Sequence, residues 1–242
     1  MTYCVGVKLN DGLVLLSDTR TNAGLDNIST YRKMFFFEEP GDRIIVILTA
    51  GSLSVTQTTI AKLDEAIHAS DADEQNSIMK APSMLHIAKI VGDTLVATRR
   101  EILHNAGAFQ GFEPTASMIV AGQRKSGAMR LFLIYPEGNF IEATDDTPFL
   151  QIGEHKYGKP ILDRVIRPET CLLDATKAVL LSMDSTLRSN LSVGMPLDLA
   201  VIEKDDLRVT NRRRIEEGDP AFQKMSRAWS DALRDSFIHI QI

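Results

Sequence analysis

Apolar positions in this chain come first as short, dense runs and further on as helical stripes. Tyr3-Cys4-Val5-Gly6-Val7 and Leu13-Val14-Leu15-Leu16-Ser17-Asp18 flank Asn10-Asp11-Gly12, a tight-turn signal, and predict a β-hairpin. Folding the second strand back along the first brings Asp18 toward Thr2. A third strand is predicted around Arg32–Phe37, with Lys33 at its beginning. Arg43–Ala50 is a nearly continuous, β-branched apolar run, which reads as a strand buried on both faces and closed by Gly51. From Ser52 to about Ala69 the apolar spacing becomes helical, with Ile60, Leu63 and Ile67 on one stripe. A polar loop, Asp71–Gln75, precedes a second long helix opened by Pro82 and running to about Ala106.

The same alternation then repeats. Ala116–Ala121, Met129–Ile134 and Phe140–Ala143 read as strands separated by the turns Lys125-Ser126-Gly127 and Pro136-Glu137-Gly138-Asn139. Two helices follow, around Tyr157–Arg164 and Leu172–Thr186, and then short strands at Asp198–Ile202 and Leu207–Val209. Strands, two helices, strands, two helices and strands again define an α+β class. With apolar faces on both sheets and both helix pairs, the economical packing is a layered sandwich: two sheets inside, helices outside. Asn211–Glu217 is charge-dense and reads as a linker. A helix is expected over about Pro220–Asp235, and Phe237–Ile242 alternates like a terminal strand. The expected division is a main domain over residues 1–210 and a C-terminal extension over 211–242 used in packing or subunit contacts.

Composition narrows the function classes. At 242 residues and 44% hydrophobic, the chain can bury one substantial core. Its net charge of −5, with both signs mixed, carries no nucleic-acid footprint. Cys4 and Cys171 make no disulfide framework, which suits a reducing cytoplasm. No apolar run is long enough to suggest a membrane span, and the start lacks the features of a signal peptide, so the residues from Thr2 onward are read as mature protein. His68, His86 and His104 lack metal-ligand spacing, and no metal or cofactor is expected. No phosphate-binding P-loop is present, so an ATP-driven step would need a partner of unknown identity.

The candidate chemistry lies at the start. Thr2 follows the initiator methionine, and aminopeptidases remove Met1 when the next residue is small. The exposed Thr2 would then carry a hydroxyl and a free α-amine whose ordinary pKa is about 7.7–8.0. Such an amine can take the proton of its own hydroxyl and make it a nucleophile. A neighbouring Lys33 ammonium would lower the amine pKa by like-charge repulsion, and Asp18 would hold that lysine. Read singly, Thr2 is a near-terminal polar residue, Asp18 a strand-end turn former and Lys33 a solvated charge. Together they form a cluster suited to shifting pKa values. Cys4, on the first strand, reads as a small core residue.

Thr2, Ser17-Asp18-Thr19-Arg20, Lys33 and Leu48-Thr49-Ala50-Gly51-Ser52, in this order, resemble the proteasome-type N-terminal-nucleophile hydrolases. Those proteins open with Thr and carry Asp-x-Arg after the first hairpin, a Lys on the next strand and an Ala-Gly-Ser-like turn. The longer chain and the C-terminal extension look most like the Anbu branch of bacterial proteasome homologues. The resemblance implies an αββα sandwich, a threonine-type peptide or amide hydrolase, and self-association into a ring or helix. It implies that Thr2 is the nucleophile, that the Gly51 N–H stabilises the oxyanion, and that the backbone of Arg20, Thr21, Asn22 and Ala23 lines a groove for extended peptide. Ser192 matches the serine of the family's late Arg-Asp-x-x-Ser-Gly-Gly motif, but Ser189 stands where its aspartate is expected, with Asp184 a nearby substitute. Glu154 stands where a serine usually follows Gly153. These departures open a second expectation, a proteasome-like scaffold with a weakened site. In this chain Lys33 also arrives one residue sooner after the aspartate, which a shorter loop accounts for.

Overall fold

A computed structural model describes residues 2–22, 28–106 and 114–241. The hairpin pairs β1 (Tyr3–Lys8) with β2 (Gly12–Asp18) around Asn10 and Asp11, with Cys4 opposite Ser17 and Lys8 opposite Leu13. Successive side chains of a strand point to opposite faces. Accordingly Val14 and Leu16 face one core while Leu13 and Leu15 face another. A strand buried on both faces needs a layer on each side, and β2 is buried throughout.

Two five-stranded antiparallel sheets supply the middle layers. One has the order β10-β1-β2-β11-β12, adding β10 (Phe149–Gly153), β11 (Leu197–Glu203) and β12 (Asn211–Ile215). The other has the order β5-β6-β7-β8-β9, from β5 (Met34–Glu39), β6 (Arg43–Gly51), β7 (Ala116–Arg124), β8 (Arg130–Ile134) and β9 (Phe140–Glu142). Leu13, Leu15, Ile44, Val46, Leu48, Ile119 and Leu131 fill the space between the sheets. The outer face of the second sheet packs on α1 (Leu53–His68) and α2 (Met84–Ala106) through Ile45, Ile47, Leu63 and Val91. The outer face of the first packs on α3 (Lys159–Val165) and α4 (Leu172–Ser189) through Tyr3, Val5, Leu162, Val179 and Met183. This is the expected αββα sandwich. Each fully buried Leu or Ile contributes about 1.5–3 kcal/mol relative to exposure.

Several local expectations are corrected. β10 and the small hairpin of β3 (Arg20–Asn22) with β4 (Ile28–Thr30) were not anticipated. Leu207–Val209 is not a strand; the chain turns there, and the next strand is β12, inside the stretch expected as a linker. β12 pairs with β11, Leu199 opposite Arg213, and its Arg-rich sequence suits an exposed edge, where charge discourages pairing with another chain. The terminal strand is also replaced: α5 runs from Pro220 to His239. Asp219 caps it by accepting from the Phe222 N–H at 2.9 Å, Pro220 occupies its first turn, and no Gly or Pro stops it before His239.

Candidate active site

Three loop junctions converge at the end of the β1–β2 hairpin. Asp18, the last residue of β2, is fully buried. Its Oδ1 accepts from Lys33 Nζ at 2.8 Å and from the Tyr3 N–H at 3.1 Å, and its Oδ2 accepts from the Gly194 N–H at 3.3 Å. Burial pushes the Asp18 carboxyl up, while the Lys33 ammonium and the two backbone donors pull it back. Lys33 immediately precedes β5 and is itself buried; its ammonium also donates to the Arg20 carbonyl at 2.5 Å. A buried ammonium without such partners would be costly to keep charged. The early arrival of the lysine therefore leaves it facing Asp18.

Thr2 is buried and held by its backbone. Its carbonyl accepts from the Glu154 N–H at 2.7 Å, just past β10, whose Gly153 lies opposite Tyr3. Gly153 has φ +81°, and a Cβ there would meet the Thr2 carbonyl oxygen at 1.9 Å. Thus Glu154, unlike serine in its side chain, anchors Thr2 through its main chain. Gly153→Ala is expected to destabilise the protein by roughly 1–3 kcal/mol and to displace Thr2. Urea unfolding and covalent labelling of Thr2 would read the two effects; a variant that keeps both the stability and the labelling of wild type would contradict this.

Gly51 ends β6 at φ +108°, where a Cβ would meet the Thr115 carbonyl oxygen at 2.3 Å. The corner is tied to the lysine through Thr49, whose N–H donates to the Lys33 carbonyl at 2.9 Å, and to β1 through the Cys4 thiol, 3.6 Å from the Thr49 carbonyl. Burial raises the Cys4 thiol well above its ordinary range, which keeps it unreactive. Arg20 Nη1 donates to the Leu191 carbonyl at 3.1 Å and draws the 190–194 loop toward the hairpin end. Ser192 lies in that loop, half-buried, its N–H donating to Asn190 Oδ1 at 2.9 Å. Thr21 lies opposite Ser29 in the β3–β4 hairpin and Asn22 ends β3; Ala23 lies outside the described residues.

Asp184, the nearby acidic residue, is engaged on its own helix. It is buried on α4 and pairs with Arg188 at 3.1 Å, whose Nη2 donates to Ser226 of α5 at 2.7 Å. Ser189, at the end of α4, is exposed. Sequence reasoning missed the backbone donors at Gly194 and Glu154; the Gly at 153 and at 194 was the available signal. Tyr3 was read only as part of a strand. Its Oη takes a hydrogen bond from Gln151 Nε2 at 2.6 Å and shares another with Ser182 Oγ at 2.6 Å, and burial pushes its phenol up to about 12. Because burial makes the ionised phenolate costly in the fold, Tyr3 does not affect the pH dependence of stability below pH ~10, and stability falls by about 3 kcal/mol as pH rises from about 10 to 12. The melting temperature of wild type is expected to fall relative to that of Tyr3→Phe over that window; a difference unchanged by pH would refute it.

Among the described residues, no helix is long and apolar enough to cross a membrane. A family model described as "Proteasome subunit" matches residues 2–202, and the chain belongs to that family. Over its whole length it is similar to solved Anbu (ancestral β-subunit) structures. A Gly-1 mutant of Anbu from Hyphomicrobium sp. strain MC1 is 50% identical, with a TM-score of 0.93 over 100% of this chain and 99% of that one. The helical assembly of the Anbu complex from Pseudomonas aeruginosa is 43% identical, with a TM-score of 0.92 over 99% and 97%. Among curated relatives, proteasome subunit beta 2 of Pyrobaculum calidifontis is 26% identical over 206 residues, covering 84% of this chain and 90% of the relative.

Proposed function

We propose that the protein is a threonine-type hydrolase of peptide or protein amide bonds, with Thr2 as nucleophile after loss of Met1. The observation that carries this reading is the buried Asp18–Lys33 pair, bonded directly to the amide that follows Thr2. The neutral α-amine of Thr2 takes the proton of its own Oγ1, directly or through a water. Oγ1 attacks the substrate carbonyl, and the Gly51 N–H receives the developing oxyanion, a contribution of about 2.7–4 kcal/mol for one such donor elsewhere. The protonated amine gives its proton to the leaving nitrogen, and water then hydrolyses the Thr2 ester. Lys33 sets the basicity of the amine, Asp18 orients Lys33, and Ser192 completes the group. Extended substrate pairs with the backbone of Arg20, Thr21, Asn22 and Ala23. The test is intact mass for loss of Met1, followed by labelling with a threonine-directed epoxyketone. Retention of Met1 together with no label would reject the reading.

One observation favours a second reading, a scaffold with weak catalysis. The position expected to hold an acidic residue is the exposed Ser189, and Asp184 is engaged with Arg188 instead. In either case the protein self-associates into a ring or helix. Leu233, Phe237, Ile238 and Ile240 are exposed apolar residues at the far end of α5 and just beyond it. Light scattering should find an assembly far heavier than 26.8 kDa; a monomer at micromolar concentration would contradict it.

A further inference from the structure

We infer that Tyr3 is a positioning residue for Thr2: its phenol, bound between Gln151 of β10 and Ser182 of α4, fixes the first peptide of the chain against the helical layer. This deepens the threonine-hydrolase reading and rests on it. Side chains alternate along β1, so Tyr3 points outward into the core under α3 and α4 while Cys4 points between the sheets. The Thr2–Tyr3 peptide is thereby held at three points. Its carbonyl takes the Glu154 N–H, its N–H goes to Asp18 Oδ1, and the side chain that follows is bonded to two different elements. The first two contacts fix the ends of one peptide plane. The third is made by a side chain that leaves the plane of the sheet toward α3 and α4, and it resists rotation of the strand about its own axis. A nucleophile that sits just before the first residue of a strand has no preceding strand residue to hold it, so this anchor sets where the Thr2 oxygen reaches.

A displacement of a reacting atom by about 1 Å can cost about 100-fold in rate, and loss of one anchor of three is expected to cost about tenfold. Tyr3→Phe and Ser182→Ala should each lower kcat about tenfold with KM unchanged, and the double variant should lose no more than either single. Leu63→Ala, a truncation in the other outer layer, should melt at lower temperature yet keep the wild-type kcat. Wild-type kcat in Tyr3→Phe, additive losses in the double variant, or an equal kcat loss in Leu63→Ala would each overturn the proposal. Hydrogen exchange of the amide at position 3 separates this inference from the reading beneath it. Faster exchange in Tyr3→Phe than in wild type supports the anchor. Equal exchange overturns it, whatever the enzyme does, whereas a wild type that neither labels nor turns over defeats the threonine reading and the positioning role of Tyr3 with it.

Discussion

Thr2→Ala is expected to reduce amide hydrolysis by about 10⁴-fold or more while leaving unfolding free energy within about 1 kcal/mol of wild type. Both halves follow from the same geometry. Thr2 is anchored by its carbonyl, and the next residue by its N–H, and alanine keeps both. What alanine loses is the hydroxyl, the one atom that would form the ester. Residues that act as one catalytic unit are non-additive, so adding Lys33→Ala to Thr2→Ala should produce no further loss of turnover. Thr2→Ser, which keeps a hydroxyl at the same atom, should recover measurable labelling. Turnover of a fluorogenic peptide by Thr2→Ala at the wild-type rate would remove the nucleophile from this position and leave the scaffold reading.

The second large effect concerns the buried pair. Lys33→Met is expected to destabilise the protein by about 3–5 kcal/mol, because it strands the Asp18 carboxylate without a cation. Asp18 is fully buried and its recorded donors are Lys33, Tyr3 N–H and Gly194 N–H; after the change only two neutral N–H groups remain. The Arg20 carbonyl would lose its ammonium partner too. Asp18→Asn alone leaves the lysine unpaired, and one amide face would oppose an N–H. The double variant Asp18→Asn/Lys33→Met removes both charges, so its loss should be smaller than the sum of the single losses. A double-mutant cycle by urea denaturation measures that coupling. Simple additivity would mean that the two charges do not depend on each other.

Most of this architecture was legible where one physical signal decided it. Asn10-Asp11-Gly12 between apolar runs specified the first hairpin, and the helical stripe through Ile60 and Leu63 specified α1. β12 was illegible because an exposed edge strand needs no apolar face: Asn211-Arg212-Arg213-Arg214 carries no alternation, and only Ile215 is buried. The last residues misled for the opposite reason. Ile238-His239-Ile240-Gln241 alternates over too few positions to outweigh a helix already nucleated at Asp219, and α5 ends without packing that would reveal its period. At the site, the charged partners Asp18 and Lys33 were readable because ion pairs depend on residue type. The anchors of Thr2 were not, because they are main-chain groups.

The amide of Glu154 shows where that distinction leads. Since it is the nitrogen that grips the first residue, position 154 can drift through almost any side chain and keep its grip; proline alone, having no hydrogen there, would let go. Homology judged by matching letters would score such drift as decay of the active centre. The more telling letter is its neighbour, Gly153, whose missing Cβ leaves room for the Thr2 carbonyl.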